Sequence, residues 1–126
     1  MKDEPHPGAL WRRTFGRWGE DLAVRHLQAA GMVLLSRNWH CREGELDLVL
    51  SDRERVVFCE VKTRSGDAYG TPAESVTAEK IDRVHRAAMR WLREYRVGWC
   101  RTRYDVVTVF ARVGRQPVIQ HFAGAF

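Results

Sequence analysis

Two segments of this chain set charged side chains among apolar neighbours. Residues 44–50 carry Glu45 and Asp47, and residues 56–62 carry Glu60 and Lys62. Acidic residues are depleted in β-strands, and burying a charge is unfavourable unless the charge is paired or binds a metal ion. Carboxylates kept in such surroundings indicate a functional site.

The spacing of the two segments predicts a β-hairpin, since only residues 52–55 separate them. Strand side chains alternate between faces, so Glu45 shares a face with Asp47, and Glu60 shares one with Lys62. A turn centred within residues 52–55 places Asp47 opposite Glu60. Two carboxylates and an ammonium would then form a divalent-metal site beside a general base or charge stabiliser, which can hydrolyse a phosphodiester.

A solvated strand edge is the alternative interpretation of the same pattern, because charged residues commonly lie exposed. Apolar residues flank Asp47 and Glu60 on both strands, which a fully solvated face would not need. The residues alone leave both interpretations open.

Length and charge define the class of protein but not its activity. The chain has 126 residues, which predicts one domain over residues 11–126 after a flexible, polar segment at 1–10. Its net charge is +5 and its pI is about 9.6, with most of the excess from arginine. This charge suits a polyanionic partner such as nucleic acid, although many basic proteins bind none.

The cysteines and the N-terminus predict a reduced, cytoplasmic protein. Three cysteines occur without CxxC spacing, so neither a disulfide framework nor a cysteine zinc site is expected. The first residues lack the apolar core of a signal peptide, and no stretch approaches the ~18 apolar residues of a membrane span.

Hydrophobic periodicity predicts a mixed α/β fold. Helical spacing covers residues 11–30 and 78–96, with Thr77 as the N-cap of the second helix. Strands are predicted over residues 32–38, the hairpin 45–63, 104–112 and, less regularly, 116–121. A turn is expected at 39–42, and a loop at 65–77. The second helix can serve as a crossover in a mixed sheet flanked by helices.

Several motifs in one order resemble the YraN-like family of predicted endonucleases. That family is similar to archaeal Holliday-junction resolvases, which have the restriction-endonuclease-like fold with the order αβββαβ(β). The matching motifs are Gly19-Glu20, Arg37-Asn38-Trp39, Gly44-Glu45-Leu46-Asp47-Leu48, Phe58-Cys59-Glu60-Val61-Lys62-Thr63-Arg64, Gly70-Thr71-Pro72, Lys80, Arg103-Tyr104-Asp105-Val106 and Ala125-Phe126. Cys59 departs from the aliphatic residue that is usual in the family, but no expected catalytic position is lost.

The resemblance implies a set of catalytic residues. The superfamily pattern of an acidic residue followed by Glu-x-Lys falls on Asp47, Glu60 and Lys62, and a glutamate of the first helix falls on Glu20. Asp47 and Glu60, with the carbonyl of Val61, would hold Mg²⁺ or Mn²⁺. Lys62 would orient the attacking water or stabilise charge on the phosphate.

The surrounding residues have supporting roles in this interpretation. Glu45 would act behind the metal ligands or as an outer ligand. Candidate clamps for the nucleic-acid backbone are Arg37, Arg42, Arg64 and Lys80. Arg103-Tyr104-Asp105 would be either an ion pair that fixes the start of a strand or part of the catalytic apparatus.

The implied function is a metal-dependent endodeoxyribonuclease that acts on DNA, including branched or junction DNA, with a homodimer as the possible assembly. Two alternatives stay open. One is a module that binds nucleic-acid structures and cleaves little or nothing. The other is a hydrolase of RNA or another phosphodiester.

Overall fold

A helix, three strands, a second helix and two strands follow one another along the chain, in a computed structural model that describes residues 7–65 and 76–126. The elements are α1 (Pro7–Ala29), β1 (Val33–His40), β2 (Glu45–Ser51), β3 (Arg55–Ser65), α2 (Ala78–Glu94), β4 (Arg101–Ala111) and β5 (Val118–Phe122). The predicted fold class and element order are confirmed, including the optional last strand. The motif Gly70-Thr71-Pro72 and most of the predicted 65–77 loop lie outside the described residues.

The N-terminal boundary differs from the prediction. Residues 7–10, assigned to a flexible segment, form the first turn of α1. Pro7 begins the helix, where a missing N–H and a fixed φ suit the first turn.

The first strand also extends further than predicted. β1 continues through Trp39 and His40 instead of turning at residue 39, because Trp39 pairs with Leu46 and His40 with Glu45. The turn follows at residues 41–44, where the Cys41 N–H donates to the Gly44 carbonyl at 2.9 Å.

All five strands form one sheet in the order β1-β2-β3-β4-β5. β3 and β4 are parallel and the other neighbouring pairs are antiparallel. A parallel pair requires a crossover connection, and α2 lies in that connection. Its predicted N-cap is confirmed, since Thr77 Oγ1 accepts from the Lys80 N–H at 3.1 Å.

Each helix covers one face of the sheet. The core towards α1 contains Leu27 of the helix and Leu48, Val57 and Val107 of the sheet. On the other side Val84, Ala87, Ala88 and Trp91 of α2 pack against Leu46, Val49, Val56 and Phe58. The central strands are therefore apolar on both faces, and any charged side chain within them lies in a largely dry environment.

Candidate active site

The register of β2 and β3 brings the two predicted carboxylates together. Pairing runs from Ser51↔Val56 to Leu48↔Cys59, so the next position places Asp47 opposite Glu60. This register is the predicted one. Both side chains lie on the side of the sheet covered by α2, since they line one cleft together with residues of that helix.

Side chains replace the ladder hydrogen bonds beyond Leu48. The Oδ2 of Asp47 accepts from the Val61 N–H at 2.9 Å, and the Oε2 of Glu60 accepts from the Asp47 N–H at 3.4 Å. A strand residue directs its N–H and C=O towards the same neighbour, so the Val61 carbonyl also faces β2. The two carboxylates and this carbonyl thus line the same open end of the strand pair.

Burial makes both carboxylates weaker acids. Glu60 is 2% exposed. Burial and then the nearby charge of Asp47 raise the pKa of Glu60 from 4.5 to about 7. Burial also raises the pKa of Asp47, although the hydrogen bond from Val61 opposes the change. The ionised carboxylates of Asp47 and Glu60 are therefore not fully balanced by nearby positive charge. A bound cation would stabilise them.

Two lysines adjoin the pair. Lys80 Nζ, from the first turn of α2, lies 3.3 Å from Glu60 Oε1. Burial lowers the pKa of Lys80, but the charges of Glu60 and Asp47 outweigh it and the net pKa is raised. Burial and then the charge of Lys80 lower the pKa of Lys62. Lys80 was predicted as a phosphate clamp, and its contact with Glu60 was missed because helix docking is not visible in the sequence.

The site opens into a cleft of about 440 Å³ between the hairpin and α2. The cleft is lined by His40, Cys41, Gly44, Glu45, Asp47, Glu60, Lys80, Arg83 and Val84. Glu45 lies at its exposed side, with Oε2 3.8 Å from His40 Nδ1. Arg83, which the sequence interpretation did not single out, adds a positive charge to the wall.

Glu20 approaches the site from the other side of the hairpin. Its Oε1 accepts from Asn38 Nδ2 at 3.0 Å and from Arg37 Nε at 3.4 Å. It is near enough to raise the pKa of Asp47. Arg37 also pairs with Asp21 at 2.6 Å, so this predicted clamp is held by two carboxylates of α1.

The remaining predicted clamps occupy different surroundings. Arg42 is exposed in the turn after β1, and Arg64 is half-buried near the end of β3. The structure brings Asp47, Glu60, Lys62, Lys80 and Glu45 together and keeps Arg42 and Arg64 outside the cleft lining.

Arg103 and Asp105 form the ion pair that was one of the two alternatives for their motif. Asp105 is fully buried and accepts both Arg103 Nε and Nη2 at 2.8 Å, His121 Nε2 at 2.7 Å and the Gly124 N–H at 3.0 Å. Asp105 lies two positions before Val107, which packs on the α1 side, so it is on the opposite side of the sheet from Glu60. The cluster thus joins β4, β5 and the C-terminal turn, away from the cleft.

The donor atoms suit a hard cation, which prefers carboxylate and carbonyl oxygens and retains several waters. Asp47, Glu60 and Val61 could hold Mg²⁺ or Mn²⁺, and the incompletely compensated charge of the pair fits such an ion. Among residues 7–65 and 76–126, no three His, Cys, Asp or Glu side chains converge as a preformed cluster. Neither of the helices described is long and apolar enough to cross a membrane.

These features define a mixed α/β protein with a buried and a half-buried carboxylate paired at the open end of a central hairpin. The profile of "Uncharacterised protein family UPF0102" matches residues 19–109. The chain belongs to this family, whose matched region contains every residue of the carboxylate site.

Relatives match over nearly their full length. A UPF0102 protein of Frankia casuarinae is 54% identical over 114 residues, covering 90% of this chain and 96% of the relative. A UPF0102 protein of Rhodococcus opacus is 50% identical over 113 residues, covering 90% of this chain and 96% of the relative. One of Nocardia farcinica is 47% identical over 115 residues, covering 91% of each.

Proposed function

We propose that this chain is a metal-dependent endonuclease that hydrolyses phosphodiester bonds in DNA. The observation that carries the proposal is the opposed pair of half-buried Asp47 and buried Glu60, each of which accepts a hydrogen bond from the backbone of the other's strand. A strand end with a purely structural role would not need two adjacent acidic side chains whose pKa values are raised by burial.

The residues have distinct roles in the proposed reaction. Asp47, Glu60 and the Val61 carbonyl would hold Mg²⁺ or Mn²⁺, which would make a bound water more acidic and neutralise phosphate charge. Lys62 orients the attacking water or stabilises the charge that develops on the phosphate. Burial favours proton release from Lys62, so its ammonium is a better proton donor than that of a solvated lysine.

Basic residues around the cleft would position the substrate. Lys80 and Arg83 line the same wall and can contact phosphate oxygens without reading sequence. Glu20 contributes negative charge near Asp47 and is positioned by Asn38. The proposal includes branched DNA as substrate and a homodimer as the assembly because of the resemblance to the junction resolvases. In those enzymes the two active sites of a dimer cut two DNA strands.

One observation favours a second candidate, a module that binds nucleic acid with little or no cleavage. The ammonium of Lys80 already compensates Glu60 in part, as a metal ion would. A site neutralised in this way could bind phosphates through Lys62, Lys80 and Arg83 without hydrolysing them.

A cleavage assay separates the two candidates. Purified protein is incubated with labelled junction, flap, plain duplex and RNA substrates in Mg²⁺, Mn²⁺ or EDTA. We expect nicking of DNA in either metal and none in EDTA. Binding to these substrates without cleavage under every metal condition would favour the module, and cleavage of RNA alone would reassign the substrate.

A further inference from the structure

A row of aromatic rings lies on α1 away from the carboxylate cleft. Trp11 stacks on Phe15 with ring centroids 5.8 Å apart, and Phe15 stacks on Trp18 at 5.7 Å. The planes are nearly parallel, with interplanar angles of 15° and 13°. Trp11 is 65% exposed, so the row ends in a large aromatic surface open to solvent.

The row forms one wall of a groove of about 590 Å³. Trp11 and Phe15 face Ser65 at the end of β3 and Arg112, Val113 and Arg115 just after β4. We name this feature the aromatic–arginine groove. None of the described residues that line it is acidic.

Two arginines line this groove, and three more lie along α1. Residues 7–19 of α1 contain Arg12, Arg13 and Arg17, all exposed, and no acidic residue. Arginines near a helix N-terminus add to the positive end of the macrodipole, which is unfavourable for the helix itself. Arg112 is held by the Gln116 carbonyl at 3.0 Å, and Arg115 is exposed. The two arginines that line the groove, Arg112 and Arg115, favour a polyanionic occupant.

We propose that the aromatic–arginine groove binds an unpaired segment of nucleic acid, with bases against the aromatic row and phosphates on the arginines. This inference rests on the proposed nuclease function. Aromatic rings bind bases of any sequence by stacking, and arginines bind the backbone. A second copy of the chain is a poorer occupant, because a two-fold contact would bring like-charged patches together.

The separation of the groove from the carboxylates is comparable to the length of a short single-stranded segment. Ser65 follows Glu60 by five positions in β3, which corresponds to about 17 Å at roughly 3.3 Å per strand residue. That span equals on the order of five stacked nucleotides at ~3.4 Å each. Because the carboxylates face α2 and the groove lies on the α1 side, a single-stranded arm somewhat longer than this, passing round the end of the strands, could occupy both places.

Binding of a labelled single-stranded oligonucleotide of about 12 nucleotides in EDTA tests the inference without cleavage. We expect Trp11→Ala to weaken binding about tenfold and Trp11→Phe to keep most of it, because a ring remains. Arg115→Ala should weaken binding and reduce the salt slope by about one. Arg115 lies in an exposed turn, so its replacement leaves the fold intact.

Trp99 and Arg101 provide matched controls. Trp99 is 90% exposed and lines a different surface with Glu54 and Arg101. Arg101 begins β4, whereas the groove lies beyond its other end. Trp99→Ala and Arg101→Ala should bind the oligonucleotide as the wild type does.

Equal affinity of the wild type and the groove variants would overturn the inference, as would the absence of single-strand binding. Loss of a dimer in Trp11→Ala with unchanged affinity would make the face a contact between copies, which also overturns it. Asp47→Asn separates the two proposals. If it loses cleavage while groove variants bind normally, only the groove inference fails. If it cleaves like the wild type, the proposed catalytic function fails instead.

Discussion

Lys80 Nζ lies 3.3 Å from Glu60 Oε1, which joins the first turn of α2 to the middle of β3. The acid is 2% exposed, so the ammonium is close to a charge that water scarcely reaches. The protein therefore carries its own cation at the place where we propose that a metal ion binds. Metal binding and the Lys80 contact must influence each other.

Replacing Lys80 tests that relationship. Lys80→Met keeps the apolar stem and removes the charge, which leaves Glu60 buried without its partner. We expect the free energy of unfolding at pH 8 to fall by about 1–3 kcal/mol without divalent cations, and Mg²⁺ to restore part of the loss. Arg86→Met on the same helix is the control, since its pair with Asp82 is exposed and contributes roughly 0.3–0.5 kcal/mol. Equal stability of Lys80→Met and wild type would contradict the prediction.

Stability should fall between acid and neutral pH because of Glu60. Burial raises its pKa from 4.5 to about 7, so in this window the folded protein binds a proton more readily than the unfolded chain does. The free energy of unfolding then decreases as the pH rises, by about 3 kcal/mol if the full shift is realised. Denaturant melts from pH 4.5 to 8 measure the slope.

Glu60→Gln should flatten that pH dependence, whereas Glu54→Gln, an exposed change on the hairpin turn, should not. Mg²⁺ favours the ionised carboxylates and should raise Tm at pH 8 more than at pH 5. A Mg²⁺ effect that persists in Glu60→Gln would place the metal elsewhere.

Asp47→Asn should abolish cleavage and keep the fold. The asparagine oxygen can still accept from the Val61 N–H, but the charge that would hold a cation is gone. Because the repulsion from Glu60 also disappears, the metal-free variant should be as stable as the wild type or more so, by up to about 1 kcal/mol. Lys62→Ala should also lose cleavage. Nuclease assays run beside thermal melts give both quantities, and an unfolded Asp47→Asn would show that the charges are structural.

Gly19 allows α1 to approach the sheet closely. A Cβ built there would overlap Thr63 Oγ1 and lie 2.9 Å from Thr63 Cβ, so Gly19→Ala must displace β3 or the helix. We expect a loss of stability of about 1–3 kcal/mol. Gly16→Ala on the same helix meets nothing within 4 Å and should instead stabilise by roughly 0.5–1 kcal/mol. Chemical denaturation measures the change in the free energy of unfolding for each variant. Changes of opposite sign would confirm the contact, and equal changes would contradict it.

Replacing Asp105 should affect the free energy of unfolding and not the rate of cleavage. Burial alone would raise its pKa, but bonds from Arg103, Gly124 and His121 outweigh burial and lower the pKa. Its stabilisation is therefore present above the ordinary pKa of 3.8 and is lost as acid protonates it. Asp105→Asn should lower the free energy of unfolding by about 3 kcal/mol, while the folded fraction, measured at low temperature, cleaves normally. The exposed change Asp82→Asn is the control, and loss of cleavage in folded Asp105→Asn would contradict a structural role.

The hairpin and most element boundaries follow from local sequence patterns. The short connection at 52–55 favours the register that sets Asp47 opposite Glu60, because a turn centred there leaves few alternative pairings. Local propensity and helical periodicity located α1, α2 and the Thr77 N-cap. These features depend on neighbouring residues, so they can be predicted locally.

The contacts between groups far apart in the chain depend on long-range packing. The contact of Lys80 with Glu60 depends on how α2 packs across the sheet, and the pair of Asp105 with His121 depends on β5 returning beside β4. Ring stacking on α1 could be suspected from helical spacing, but its groove with Arg115 required the end of β4 to lie beside that helix. Long-range packing sets burial and charge compensation, and these determine the pKa values that a local sequence pattern cannot supply.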